Sequence, residues 1–166
     1  EAGMICIANY PSEQIKLGSM GKPFPGMQVA IIDENGEELP IITLGELAFK
    51  VEWPSMMLGI WGNTARTSSY FRGSWFVTGD LALKDEDGCY YHHGRLDDLL
   101  RIGFRYVGPY LIENVIQKHP SVEEVAVILK KSPNKDLSFK AYVTVRNGES
   151  QSSNLPERII EFLKDS

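Results

Sequence analysis

Short apolar runs divided by turn formers fill the first part of the chain. Residues 4–9 (Met-Ile-Cys-Ile-Ala-Asn) open it as a strand or loop. A loop rich in Pro11, Gly18, Gly21, Pro23, Pro25 and Gly26 follows, and so long a loop with so many turn formers is either functional or a linker. Val29–Ile32 reads as a strand closed by Asp33-Glu34-Asn35-Gly36, whose Asn-Gly pair is the strongest short hairpin signal. Over residues 45–51, Leu47, Phe49 and Val51 alternate with Glu46, Ala48 and Lys50, the period of a strand with one face covered. Met56, Met57, Leu58, Ile60 and Trp61 read as gap-fillers in a core or pocket wall, because Met fits irregular spaces. Residues 75–83 and 89–93 read as two strands joined into a hairpin by Asp85-Glu86-Asp87-Gly88, an acidic turn expected to be solvated.

The pattern changes after Asp98. Pro109 suits a first helical position, and Leu111, Ile112, Val115 and Ile116 recur at helical spacing until His119-Pro120 ends the run. His119 reads most simply as a C-terminal cap. Val125, Val127 and Leu129 alternate as a strand, residues 139–145 give a second, and Asn154 caps a helix with Ile159, Ile160 and Leu163 on one face. Helix, strand, strand, helix is the start of a small α+β domain, so the boundary is expected near Asp97.

Composition narrows the classes. With 166 residues, 43% hydrophobic and 23% charged, the chain is long enough for a core and ordinary for a globular protein. The net charge of −5 leaves no footprint for nucleic acid or an anionic membrane, and no apolar run approaches a membrane span. Cys6 and Cys89 are too few and too distant for a disulfide framework, which fits a reducing cytoplasm. The chain opens on Glu1 without an initiator Met and closes at Ser166 within an expected helix, so it reads as part of something longer.

Two residues carry the candidate chemistry. Asp80, after Gly79, offers two acceptors side by side, which match the vicinal hydroxyls of a ribose; an Asp after Gly is also a common turn cap. Arg95, after Gly94, has a fork of donors suited to ribose or phosphate oxygens; an ion pair with Asp97 or Asp98 is the competing reading. His92 and His93 alternate across a strand and cannot converge on one metal. Neither a nucleophile elbow nor a Gly-rich phosphate loop with Lys is present.

Seven segments in order then carry a resemblance: Gly18-Ser19-Met20-Gly21-Lys22-Pro23, residues 33–40, Gly45-Glu46-Leu47, residues 70–75, Thr78-Gly79-Asp80, residues 85–88, and Gly94-Arg95-Leu96-Asp97-Asp98. Together they resemble the adenylate-forming acyl-CoA synthetases of the acetyl and medium-chain acyl type. The resemblance implies an α+β fold: residues 1–96 as the end of a large domain, a meander of short β-strands in a distorted barrel, and residues 97–166 as a small mobile C-terminal domain, incomplete at its end. It implies a cytoplasmic acid-thiol ligase that uses ATP, Mg2+ and CoA to activate acetate or a medium-chain carboxylic acid. Asp80 and Arg95 would hold the ribose, Asp97 would be the hinge, and Glu1 would act on magnesium and the adenylate.

The sequence departs from the family pattern in several places. The phosphate loop would lie upstream of Glu1, and the Lys that promotes adenylation beyond Ser166, so the chain alone is expected to be inactive. Gly103-Phe104-Arg105 keeps the family's Gly-aromatic-Arg triplet but one residue early, which in an extended segment turns each side chain to the other face unless a bulge compensates. Gly103 and Arg105 are therefore candidate contacts to CoA or nucleotide. Leu111 stands where the family usually has Glu, while Glu113 matches. Two alternatives accompany the ligase: an adenylation domain that loads a carrier protein, and a non-catalytic nucleotide-binding or interaction module.

Overall fold

The structure is a computed structural model and describes residues 1–102, 105–131, 137–146 and 154–165. It is α+β, mostly strands, and divides into two compact units, Glu1–Leu96 and Asp97–Ser166.

The first unit is built on a five-stranded antiparallel sheet with the curl of a half-barrel. Two short strands, β1 (Ile7–Ala8) and β2 (Lys22–Pro23), pair with each other ahead of it. In the sheet, β3 (Val29–Ile32) pairs with β4 (Gly45–Lys50), and β4 pairs with β6 (Trp75–Lys84). The ten residues of β6 let its other edge take two partners in turn: β5 (Phe71–Arg72) at its start, and β7 (Tyr90–Arg95) towards its end.

One face of the sheet packs Ile31, Leu47, Phe49, Phe76 and Tyr90 with Met27 and Met56; the other packs Ala30, Ile32, Ala48, Trp75 and Val77. Both faces of β4 are thus covered, so Glu46, expected on the exposed face of an alternating strand, is buried at 8% exposure. Met56 joins the core as expected, but Leu58 and Trp61 are fully exposed rather than part of a wall.

A short helix absent from the sequence reading, α1 (Thr64–Ser69), precedes β5. Asn63 caps it by accepting the Arg66 N–H at 3.0 Å, and none of its residues is buried. The Asp85 turn is a bonded structure, not merely solvated. Asp85 Oδ1 accepts the N–H groups of Asp87 and Cys89, and Oδ2 accepts Lys16 Nζ at 2.6 Å and the Tyr91 hydroxyl at 3.2 Å. Lys16 also pairs with Asp87. Its ammonium pulls the Asp85 carboxyl from the ordinary 3.8 down to about 2.

The second unit begins in a 3-10 helix, Leu96–Asp98, that spans the division between the units. A hairpin follows, β8 (Leu100–Ile102) with β9 (Arg105–Val107), then α2 (Pro109–Ile116), β10 (Val122–Lys131), β11 (Leu137–Val145) and α3 (Leu155–Lys164). Pro109 opens α2 as expected, and Ile116, Val122, Val127, Leu155 and Ile159 form the core. Glu113 reaches from α2 to the sheet, its Oε1 accepting the Val127 N–H at 2.7 Å. Ile160 is exposed, because α3 buries its Leu155–Ile159 edge instead of the stripe expected through Ile160. His119 is buried; its Nδ1 accepts the Ser121 N–H at 3.2 Å and its ring meets Phe162 edge-on, so it shapes the turn into β10 and does not cap carbonyls with its side chain.

Candidate functional site

The candidate site lies where the regular ladder of the first unit breaks. In the β4–β6 pairing, Glu46 faces Leu81 and Ala48 faces Val77, so Leu47 alone stands opposite Thr78, Gly79 and Asp80. A bulge of this kind bends the strand and re-aims side chains. Gly79 sits at its apex with φ +75°, a left-handed conformation that glycine adopts without steric cost.

The bulge leaves backbone groups without strand partners, and side chains take their place. The Thr78 hydroxyl donates to Leu47 O at 2.9 Å and accepts the Asp80 N–H at 3.0 Å. Arg95 Nη1 donates to Thr78 O at 2.8 Å. The Gly79 N–H donates to Glu46 Oε1 at 3.2 Å. Interior amide groups left unpaired are costly, so each bond fixes the bulge.

The hairpin between β6 and β7 sets Asp80 directly opposite Arg95. Arg95 Nη1 lies 3.0 Å from Asp80 Oδ1, and His92 Nε2 lies 3.5 Å from the same oxygen. Burial, with His92 nearby, lowers the pKa of the neighbouring His93. Among the described residues, Asp80 Oδ2 takes no hydrogen bond and remains available as an acceptor. The Arg95 guanidinium passes directly over Gly79, where a Cβ would come within 2.7 Å of Nη2.

Asp80 and Arg95 line one cavity of about 450 Å³ with Glu1, Ala2, Gly3, Met4, Thr78 and three aromatic residues, Phe49, Tyr70 and Phe76. Glu1 arrives there because its carbonyl accepts the Met57 N–H at 2.8 Å and the Ala2 carbonyl accepts the Ser55 hydroxyl at 2.6 Å. Tyr70 and Phe76 stack at 5.8 Å along the wall. Carboxylates, a guanidinium and aromatic rings around one polar cavity suit a ligand with hydroxyls and a flat face. Among the described residues no three His, Cys, Asp or Glu side chains gather as metal ligands. One carboxylate is nevertheless enough for magnesium when nucleotide oxygens and water complete its shell, and Glu1 fits that mode.

The other expected site residues lie in the second unit. Asp97 is its first residue, within the 3-10 helix. Arg105 lies in β9 opposite Ile102, in a ladder whose described pairs (Leu100 with Val107, Arg101 with Tyr106, Ile102 with Arg105) keep one register with no compensating bulge. Gly103 and the Arg105 side chain lie outside the described residues. Sequence reasoning missed Glu46 and Arg72, which support the bulge from behind. A charged residue in a doubly covered strand was the available signal, but only the second apolar layer reveals it.

Residues 111–166 match the family model of the AMP-binding enzyme C-terminal domain. The chain is 44% identical to the acetyl-coenzyme A synthetase of Bacillus subtilis (strain 168) over 165 residues, 99% of this chain and 29% of that protein. In fold it is similar to an ATP-bound RpMatB-BxBclM chimera, with TM-score 0.85 and 32% identity over 96% of this chain and 31% of that one. It is also similar to the anthranilate CoA ligase AuaEII in complex with anthranoyl-AMP, with TM-score 0.76 and 31% identity over 96% of this chain and 30% of that one. The chain therefore spans under a third of the length of these relatives, and across that span it belongs to the ANL superfamily of adenylate-forming enzymes, with the acyl-CoA synthetases.

Proposed function

We propose that this chain supplies the ribose-holding edge and the hinge of an ATP-dependent acyl-CoA synthetase. In the first step a carboxylate oxygen of the acid attacks the α-phosphorus of ATP, giving acyl-adenylate and pyrophosphate. In the second, CoA thiolate attacks the acyl carbon and AMP leaves. The acid is acetate or a medium-chain acid, and the enzyme is cytoplasmic with no nucleic-acid partner.

The observation that carries this reading is the Asp80–Arg95 pair on the rim of the cavity that Glu1 also lines. Arg95 fixes one oxygen of Asp80 and leaves the other to accept a ribose hydroxyl, and its guanidinium puts a positive charge on the same cavity wall, where a ribose or phosphate oxygen would lie. Both partners stand on paired strands, so the clamp is set before the ligand arrives, which is how positioning lowers a barrier. Glu1 contributes its carboxylate to magnesium and the adenylate. Asp97, first residue of the second unit, is the pivot between the two steps, a place where hinges commonly absorb torsion. Gly103 and Arg105 belong to the surface that meets CoA or nucleotide.

The test is CoA-ester formation by the complete ligase carrying this sequence, across a chain-length series of acids. Turnover with pyrophosphate release on acetate or medium-chain acids is expected. ATP binding without ester on any acid would favour a non-catalytic module, and acyl transfer only to a carrier protein would favour an adenylation domain. The 166-residue chain alone is expected to catalyse no pyrophosphate exchange.

A further inference from the structure

We propose that Glu46 is a positioning residue for the nucleotide, holding the Thr78-Gly79-Asp80 bulge from inside the sheet, and that Arg72 holds its carboxylate in place for that purpose. This rests on the ribose reading above. Four bonds secure the bulge. Three come from Thr78 and Arg95, which belong to the cavity wall; the fourth, from Gly79 N–H to Glu46 Oε1, comes from behind it. Without the fourth, Gly79 would lose the partner of a part-buried N–H at the residue with left-handed φ, and Asp80 hangs directly from that residue.

Glu46 is 8% exposed, and a buried carboxylate is costly unless paired. Arg72 supplies the pair, with Nη1 at 2.7 Å from Glu46 Oε2 and 3.1 Å from Asp33 O. One carboxylate therefore joins three parts of the sheet: the bulge in β6 through Gly79, β5 through Arg72, and the turn after β3 through Arg72 and Asp33. Glu46 touches no part of the cavity, so its influence on a ligand passes through Asp80.

Two double variants of equal bulk separate the hydrogen bond from the packing. Glu46→Met with Arg72→Met removes both charges and the acceptor, and such apolar replacement of a buried pair is commonly tolerated. Glu46→Gln with Arg72→Gln also removes the charges but keeps an acceptor for the Gly79 N–H. In the complete ligase the Met pair is expected to raise KM for ATP roughly tenfold, the scale of one lost buried hydrogen bond, with KM for CoA within about twofold of wild type. The Gln pair is expected to restore KM for ATP to within about threefold.

Asp80→Ala is run in parallel. If it raises KM for ATP while the Met pair does not, the role of Glu46 is refuted and the ribose reading stands. If Asp80→Ala leaves KM for ATP unchanged, the ribose reading falls and takes this one with it. Should the Met pair fail to fold, the single Glu46→Gln decides: wild-type KM for ATP supports the acceptor role, and a rise beyond about threefold in a folded enzyme overturns it.

Discussion

Gly79→Ala, compared with Gly88→Ala, isolates what the Arg95 guanidinium contributes to the bulge. Both glycines are left-handed, at φ +75° and +79°. Alanine in that region costs about 1–2 kcal/mol at either position. At Gly88 a Cβ meets nothing within 4 Å, so strain is the whole effect. At Gly79 it would lie 2.7 Å from Arg95 Nη2, 3.2 Å from Cζ and 3.3 Å from Nη1, and the guanidinium must leave its place. The bonds lost are those to Thr78 O at 2.8 Å and Asp80 Oδ1 at 3.0 Å. The Arg95 side chain is 45% exposed, so water screens the ion pair to about 0.2–1 kcal/mol, and the carbonyl bond adds about 1 kcal/mol. Gly79→Ala is therefore expected to be the less stable of the two by roughly 1–2 kcal/mol, or about 2–8 °C in Tm for a chain of this size. Parallel thermal melts of the 166-residue chain measure it. Equal melting of the two variants would refute the placement of Arg95 over Gly79.

Three further outcomes follow from the same packing. Asp85, whose folded pKa is depressed to about 2 from 3.8, stabilises the fold above pH 4 and loses that contribution as pH falls from about 4 to 2; the urea midpoints of wild type and Asp85→Asn should differ at pH 7 and converge near pH 2, and a constant difference would contradict the Lys16 contact. Tyr90 is fully buried and its hydroxyl donates to Val29 O at 2.7 Å, so Tyr90→Phe should lower stability by about 1 kcal/mol in urea titrations. Trp61→Ser, at a fully exposed position, should stay within about 0.5 kcal/mol of wild type in the 166-residue chain, whereas Met56→Ala, in the core, should lose about 2–5 kcal/mol.

The sequence disclosed those elements whose signals are local. Asn35-Gly36 and Asp87-Gly88 marked two turns, Pro109 a helix start, and the alternation through Val125, Val127 and Leu129 a strand. The hairpin about Gly88 brings the stretch around Asp80 beside the stretch around Arg95, but the register shift between Asp80 and Ala82 that makes the two direct partners, in place of the expected Asp97 or Asp98, has no local signal. Long-range packing decided what stayed hidden. Alternation in β4 pointed Glu46 to solvent, because a strand cannot report a second apolar layer formed by distant Ala30, Trp75 and Val77. The polar residues of α1 gave no helical stripe, and its only strong cue was the Asn63 cap. Leu58 and Trp61 look like core residues by type, yet apolar character alone does not bring a residue inside. Glu1 reaches the cavity because its carbonyl accepts the Met57 N–H and the next carbonyl, of Ala2, accepts the Ser55 hydroxyl, which no local pattern encodes.

A ligand-by-mutation cycle tests most directly that Asp80 and Arg95 read the ribose of ATP. KM for ATP and for 2′,3′-dideoxy-ATP are measured in the complete ligase and in its Asp80→Ala variant. The wild-type enzyme should prefer ATP by roughly tenfold or more, because a site built to bond hydroxyls leaves its polar groups unpaired without them. In Asp80→Ala that preference should collapse towards unity. An undiminished preference in the variant would contradict the assignment of the ribose to Asp80.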